Sequence, residues 1–232
     1  MLDELWPLFG LRLVTERLEL RTMREDDLVD VAALVPEDAE PDPRLPRFGF
    51  ADPAVVRAAM SFQSYWSSMG DWRVEDWRVG FLARLRVGGV LGPAGCVVGV
   101  SELEAQGFLV RRTVHTGSWL IEAARGQGYG KEMRAAILTL AFGGLGATVA
   151  ETEALDDNHA SLGVSRALGY EANGEEIHDH NGTPARMVRL RLVRESWDAG
   201  IRAGWATRIE GLEPAKVLFG LESGGTAPSL EP

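Results

Sequence analysis

Seven consecutive residues, Arg125-Gly126-Gln127-Gly128-Tyr129-Gly130-Lys131, have the composition of an anion site. Glycines let the backbone approach a ligand closely and take left-handed angles. Two basic side chains, Arg125 and Lys131, flank them. Such a turn at a helix start adds unpaired N–H groups and the positive end of the helix dipole, and a diphosphate is its natural guest. Two nucleotide motifs fail on spacing. A P-loop needs four residues between its glycines and a hydroxyl after its lysine; here three residues separate Gly126 from Gly130 and Glu132 follows Lys131. The dinucleotide fingerprint Gly-x-Gly-x-x-Gly is not met by Gly126-x-Gly128-x-Gly130. A second group, Asn158-His159-Ala160-Ser161, opens another helical pattern that ends at Gly169-Tyr170.

The surrounding pattern must position these residues. Thr116 to Ile121 reads as a strand entering the glycine turn, and Glu132 to Phe142 as the helix leaving it. Strands are expected over 17–21, 78–85, 96–103, 114–121 and 148–152, with a closing hairpin of 170–177 and 185–193. Asn181-Gly182 is a hairpin turn signal. Helices are expected over 24–34, 53–68, 128–142 and 157–168. Three successive strands with short connections imply an antiparallel meander, and the strand–helix–strand around the glycine turn implies local parallel or splayed pairing. The fold class is therefore α+β, a mixed, mostly antiparallel sheet. Residues 1–13 form an aromatic N-terminal arm, 14–193 the main unit, and 194–232 a C-terminal extension ending in a Gly/Pro/Ser-rich tail expected to fray. Trp66, Met69, Trp72 and Trp77 are read either as pocket lining or as core.

Charge and composition narrow the function. At 232 residues and 45% hydrophobic content the chain can bury a full core. A net charge of −10 argues against general nucleic-acid binding and favours cationic substrates. The lone cysteine, Cys96, lies in an apolar run and excludes an internal disulfide. His178, Asp179 and His180 have no further ligand group nearby in sequence, so no metal is expected. No run reaches transmembrane length and the N-terminus is not signal-like, so the expected location is the cytoplasm, without membrane association.

The spacing Arg125-x-x-Gly128-x-Gly130, followed by Asn158-x-x-Ser161 and Leu168-Gly169-Tyr170, resembles the two signatures of the GCN5-related N-acetyltransferases (GNAT). The opening Leu13-x-Thr15-Glu16-Arg17-Leu18-x-Leu20-Arg21 resembles their ribosomal-protein branch. Trp6 to Phe9, Ser118-Trp119-Leu120, Glu132-Met133-Arg134, Trp197 and Leu218-Phe219-Gly220 resemble an actinobacterial subgroup with members proposed to bind succinyl-CoA. The resemblance implies a sheet whose two central strands part around acyl-CoA, with helices on both faces. It implies a co-substrate, acetyl-CoA or succinyl-CoA, held by Trp119, Leu120, Ile121, Arg125, Gly126, Gln127, Gly128, Tyr129, Gly130, Lys131, Asn158 and Ser161. A backbone N–H around Trp119 to Ile121 would stabilise the oxyanion. Glu122 would be the base, through water, and Ser161 the proton donor to the thiolate. Glu102, Glu104 and His115 are further base candidates, and Ser165 stands where the wider family often has tyrosine. The expected activity is N-acyl transfer to a protein N-terminus, lysine or small amine. An aminoglycoside-type acetyltransferase and a non-catalytic acyl-CoA-binding module are the alternatives. The arm and extension are candidate homodimer or lid elements.

Overall fold

Alternating burial defines the strands. In Leu18–Thr22 the even positions are buried and Glu19 and Arg21 are half-buried, as a one-sided strand requires. The computed structural model describes residues 2–39, 48–180 and 183–222. Nine strands form one sheet: β1 Arg12–Val14, β2 Leu18–Thr22, β3 Trp77–Leu85, β4 Val97–Ala105, β5 Thr113–Leu120, β6 Val149–Leu155, β7 Glu171–His180, β8 Thr183–Val193 and β9 Arg208–Glu210. Their order is β7-β8-β6-β5-β4-β3-β2-β1-β9. Every neighbouring pair is antiparallel except β5–β6. The mixed α+β sheet and the β3-β4-β5 meander are as the sequence implies. Asn181-Gly182, the expected hairpin turn, lies outside the described residues, as do Pro41, Pro43, Pro46 and the tail from 223 onward.

Four main helices cover both faces: α1 Leu28–Leu34, α2 Pro53–Gly70, α3 Tyr129–Leu138 and α4 His159–Ala167. On one face α1 and α2 close over Met23, Leu28, Val31, Tyr65, Leu82 and Val100. On the other, α3 lies in the main core with Met133 and Ala135 to Leu138 fully buried, and a π-helical turn, Thr139–Gly144, extends it. Small residues at 135 and 136 let this helix lie close against the sheet. Among the described residues no helix is long and apolar enough to cross a membrane.

The first and last described segments are both woven into this core. β9 pairs with β1, and Trp197 and Phe219 are at most 1% exposed. Trp72 donates from Nε1 to the Leu218 carbonyl (2.9 Å), and its ring meets Trp6, Trp77 and Phe219. Trp72 and Trp77 are thus core residues rather than pocket lining. Trp66 is half exposed and donates to Glu25.

The junction of β2 and α1 carries a pH-dependent element. Arg21 donates to both oxygens of Asp27 (2.8 and 2.5 Å), and the Arg24 N–H adds a third bond (2.8 Å). Burial pushes the Asp27 carboxyl up, but these donors outweigh it and hold the group below its usual range. A depressed carboxylate contributes stability that is present above its unfolded pKa, about 3.9, and is lost as pH falls through the folded value. Asp27→Asn is therefore expected to lower the melting temperature at pH 7, and the gap to wild type should begin to narrow as pH falls below about 4. Thermal unfolding at pH 7, 4 and 3 measures this; a gap as large at pH 3 as at pH 7 would contradict it.

Candidate active site

The site is built where β5 and β6 part. The two strands pair only over Thr113–His115 and Val149–Glu151. Past His115, side chains span the gap: Thr152 Oγ1 donates to the Thr116 carbonyl (2.8 Å) and Thr116 Oγ1 to the Glu151 carbonyl (3.4 Å). At its far end β5 is pressed against a bulge in β4. The pairing slips between Ala83 and Arg84, and the Ile121 N–H donates to the Val98 carbonyl (2.9 Å). That donor is therefore not available to an oxyanion, although Ile121 lies in the segment expected to supply one. Trp119 and Leu120 are half-buried beside it.

The glycine turn joins this strand to α3. Glu122–Ala124 forms one 3-10 turn, with Glu122 exposed. Gly126 (φ 74°) and Gly128 (φ 85°) both take left-handed backbone angles, and Gly128 is the residue that caps α3. Those two positions require glycine. Gly130 does not: a methyl group there would make ordinary contacts at 3.5 Å with Leu120 and Val164. Lys131 is exposed on the first turn of the helix, whose leading N–H groups have no intrahelical acceptor.

Two acid–arginine contacts hold this turn. Glu132, 4% exposed, accepts from Thr15 Oγ1 (2.6 Å), the Arg17 N–H (2.9 Å) and Arg17 Nε (2.6 Å). Arg17 also donates from Nη1 to the Gln127 carbonyl (3.0 Å), and its guanidinium lies 4.3 Å from the centre of the Tyr129 ring. Gln127 itself donates from Nε2 to the Ala123 carbonyl (2.6 Å). Arg125 is turned to Asp38, with two bonds of 2.6 and 2.7 Å, and from Nε to the Leu120 carbonyl (3.3 Å). The guanidinium holds the Asp38 carboxyl below its usual range, and Asp38 in turn raises Arg125. In this state the cation expected to meet a diphosphate holds a carboxylate instead. Sequence reasoning missed Arg17 as a site residue; the early acid Glu132 after the Thr15-Glu16-Arg17 turn was the available signal.

Asn158 and Ser161 lie across the gap, at the start of α4 where β6 ends. Asn158 Oδ1 accepts from the Ser161 N–H (3.1 Å), a helix cap. The Ser161 carbonyl accepts from Ser165 Oγ (3.1 Å), and Ser165 is buried. Val164 touches the first turn of α3 near Gly130, so the two helices that carry the paired motifs are packed together.

Arg134 puts a buried cation at the site. It is 2% exposed, one helical turn into α3. It donates to Thr152 Oγ1 (3.2 Å) and Ser118 Oγ (3.3 Å), one on each parting strand. Its Nε has no partner among the described residues. No carboxylate there forms an ion pair with it. A buried guanidinium held only by hydroxyls is poorly compensated. Sequence reasoning also gave it no role, because an arginine is expected at the surface.

A cavity of about 690 Å³ lies elsewhere, between β1 and the C-terminal segment (Thr15, Arg86, Thr139, Trp205, Arg208), and none of Arg125 to Lys131 lines it. The geometry at the gap is the better guide to chemistry. A cavity of about 200 Å³ opens beside His115 on the opposite face from α3. Glu153, Glu176 and His178 come within 4.8 Å of one another there, so the fold supplies the acids that sequence neighbours do not. His178 presents different nitrogens to Glu153 and Glu176, and Arg189 already pairs with Glu176.

Solved structures share this fold. RimJ of Mycobacterium smegmatis, solved in complex with CoA-disulfide, is 18% identical, with a TM-score of 0.64 covering 85% of this chain and 95% of that one. A chimera of the spermidine N-acetyltransferase SpeG from Vibrio cholerae and hSSAT is 12% identical, with a TM-score of 0.57 covering 78% and 98%. These likenesses are of fold. Residues 17–171, which contain the parting strands, the glycine turn and the Asn158 helix start, match the acetyltransferase (GNAT) domain. The chain therefore belongs to the GNAT acetyltransferase family, whose members use acyl-CoA.

Proposed function

We propose that the chain transfers an acyl group from acyl-CoA to a primary amine by direct attack, with no covalent enzyme intermediate. One observation carries this reading: the glycine-capped start of α3 stands at the mouth of the gap between β5 and β6. The diphosphate would sit on the N–H groups of Gly126 to Lys131, displacing Asp38 from Arg125, and the pantetheine arm would run along Trp119 to Ile121 with Asn158 on its other side. Ser161 would return a proton to the departing thiolate. Glu122, exposed on its turn, could take the amine's proton only through water. The acceptor class is a protein N-terminus, a lysine or a small amine, and the spermidine N-acetyltransferase likeness supports the last by analogy.

Arg134 favours a second, finer reading. An acyl chain ending in a carboxylate, as in succinyl-CoA, would compensate the buried guanidinium that Ser118 and Thr152 satisfy only in part. Acetyl-CoA would leave it as it is. Thermal unfolding with each coenzyme separates the two. At a hundredfold excess over Kd, a bound coenzyme should raise the melting temperature by roughly 5–10 °C. Gly128→Val should remove the shift for both, and a shift that survives would sink the loop assignment. Arg134→Leu should weaken succinyl-CoA by about a hundredfold and spare acetyl-CoA. Equal effects on both coenzymes would refute the carboxylate reading. Acyl-CoA binding without turnover of any amine would favour a binding module.

A further inference from the structure

We propose that the cavity beside His115 is the acceptor site: it binds a primary alkylammonium among carboxylates, and His115, set by Glu151, takes its proton. The proposal rests on the acyl-transfer reading and assigns the half of that reaction that the coenzyme motifs leave blank.

Position is the first ground. His115 is the last residue of β5 that pairs with β6, so it stands at the apex of the gap. Strand alternation separates the faces. Thr116 and Ser118 point toward α3 and Arg134, while His115, Gly117 and Trp119 point to the face of α1 and α2. A coenzyme entering along α3 and an amine entering beside His115 would thus meet at one gap from opposite sides. Gly117 keeps the path open. It has no side chain between His115 and Trp119, and among the described residues only the Glu102 carboxylate comes within 4 Å of where a methyl would stand, at 3.9 Å.

Orientation is the second ground. His115 Nε2 lies 3.6 Å from Glu151 Oε2, close enough to form an ion pair once the ring is protonated. Glu151 is itself fixed, its Oε1 accepting from Asn173 Nδ2 (3.3 Å). The histidine and the glutamate are 41% and 26% exposed, so solvent and substrate can reach both.

Charge and size are the third ground. The cavity of about 200 Å³ is lined by Glu151, Glu153, Glu176, Asn173 and Arg189 as well as His115. Three carboxylates face one guanidinium, which leaves the wall anionic. On the same sheet face β4 adds Glu104, paired across from His115, and Glu102, while Arg78 of β3 and Arg191 of β8 stand one strand further out on either side. The volume is below that of sites that enclose a drug-sized ligand, so the cavity admits an aminoalkyl end rather than a whole aminoglycoside.

The proton inventory closes. An alkylammonium, with a pKa of about 10.4, cannot attack while protonated. One proton passes to His115 Nδ1, the ring nitrogen not set against Glu151, and then to solvent, with Glu151 beside Nε2 balancing the imidazolium. The freed lone pair forms the C–N bond at the thioester carbonyl. The second N–H proton is lost as the tetrahedral intermediate collapses and the C–S bond breaks, and it ends on the thiolate. The third stays in the amide.

The test titrates the full chain with 1,5-diaminopentane and follows the histidine ring resonances, His115 being assigned by its disappearance in His115→Gln. 1,5-Pentanediol at equal ionic strength is the control. The expected result is a saturable shift of the His115 signal by the diamine alone, weakened at least tenfold in Glu151→Gln. A His115 signal that the diamine leaves in place overturns the site. In steady-state assays of CoA release with the same diamine, His115→Gln should lose about a hundredfold or more in kcat/KM for the amine. It should also lose the acid limb of the pH profile, with the coenzyme-induced thermal shift unchanged. An intact acid limb overturns the role as base, and a bound diamine that coenzyme-loaded protein does not acylate overturns the acceptor assignment. If wild type gains no thermal shift from either coenzyme, the acyl-transfer reading fails by itself, and the ring titration still decides the site.

Discussion

Gly99→Ala should lower stability by about 3 kcal/mol and weaken acyl-CoA binding as well, although Gly99 touches no expected ligand-binding side chain other than Leu120. A methyl at Gly99 would lie 2.3 Å from the Trp119 carbonyl oxygen, 2.9 Å from Leu120 Cδ2 and 3.1 Å from Leu120 Cα. Two of the three obstacles are backbone, so no rotamer change relieves them. Either β4 moves off β5 or the bulge at Val98 unwinds, and both break the Ile121 N–H bond to Val98. The shape lost is that of the strand along which the pantetheine arm is proposed to run. The observable is a urea midpoint that falls with an unchanged slope, equivalent to roughly 6–12 °C in melting temperature. A variant within 0.5 kcal/mol of wild type would show that the close approach of β4 to β5 is not needed.

Gly99 also marks a limit of sequence reading. The glycines of the turn were legible because they stand together, between a strand pattern and a helix pattern, at a spacing with a known use. Gly99 stands alone in an apolar strand run, and its obstacle is supplied by residues on the next strand. The same division holds elsewhere. The meander, the crossover through α3 and the start of α4 follow local periodicity, and the sequence reading located them to within about two residues. β1 is three residues long, too short to show a period, and it forms only because it pairs with β2 and β9. The tryptophans could not be sorted into pocket and core by type, since Phe219, which packs on Trp72 and Trp77, comes more than a hundred positions later.

At the site, the residues proposed for the coenzyme stand together in the sequence, and those proposed for the acceptor do not. A clamp for diphosphate is built from contiguous backbone, so its residues are neighbours in sequence. The group beside His115 is assembled across β5, β6, β7 and β8, and its members come together only once the short parallel register of Thr113–His115 with Val149–Glu151 is set. Glu122 drew attention because it sits beside the motif, yet the fold leaves it in solvent. His115 had the right chemistry with no visible partner until Glu151 was placed opposite it.

Glu132→Ala is expected to show the other large effect, because one buried carboxylate ties two distant parts of the chain. Its partners Thr15 and Arg17 are 117 and 115 residues away, at the turn between β1 and β2. Truncation leaves the Arg17 N–H without its acceptor and strands Arg17 Nε. Thr15 Oγ1 loses less, since it also reaches the Leu18 carbonyl at 3.1 Å. The Arg17 side chain is 41% exposed and can turn to water, so the charge contribution is discounted and the backbone donor and the cavity dominate. The expected cost is about 2–4 kcal/mol. Glu132→Gln keeps one acceptor oxygen but turns a donor toward Arg17, so it should fall between alanine and wild type. A purely structural role would stop at stability. Arg17 also holds the Gln127 carbonyl between the two left-handed glycines, so its release should loosen the turn itself. Amide exchange at Gly126 to Gly130 should then quicken, and coenzyme affinity should fall by more than the stability loss explains at temperatures where both proteins are fully folded. Wild-type exchange rates in Glu132→Ala would separate the two roles and leave Glu132 as a buried strut with no part in shaping the clamp.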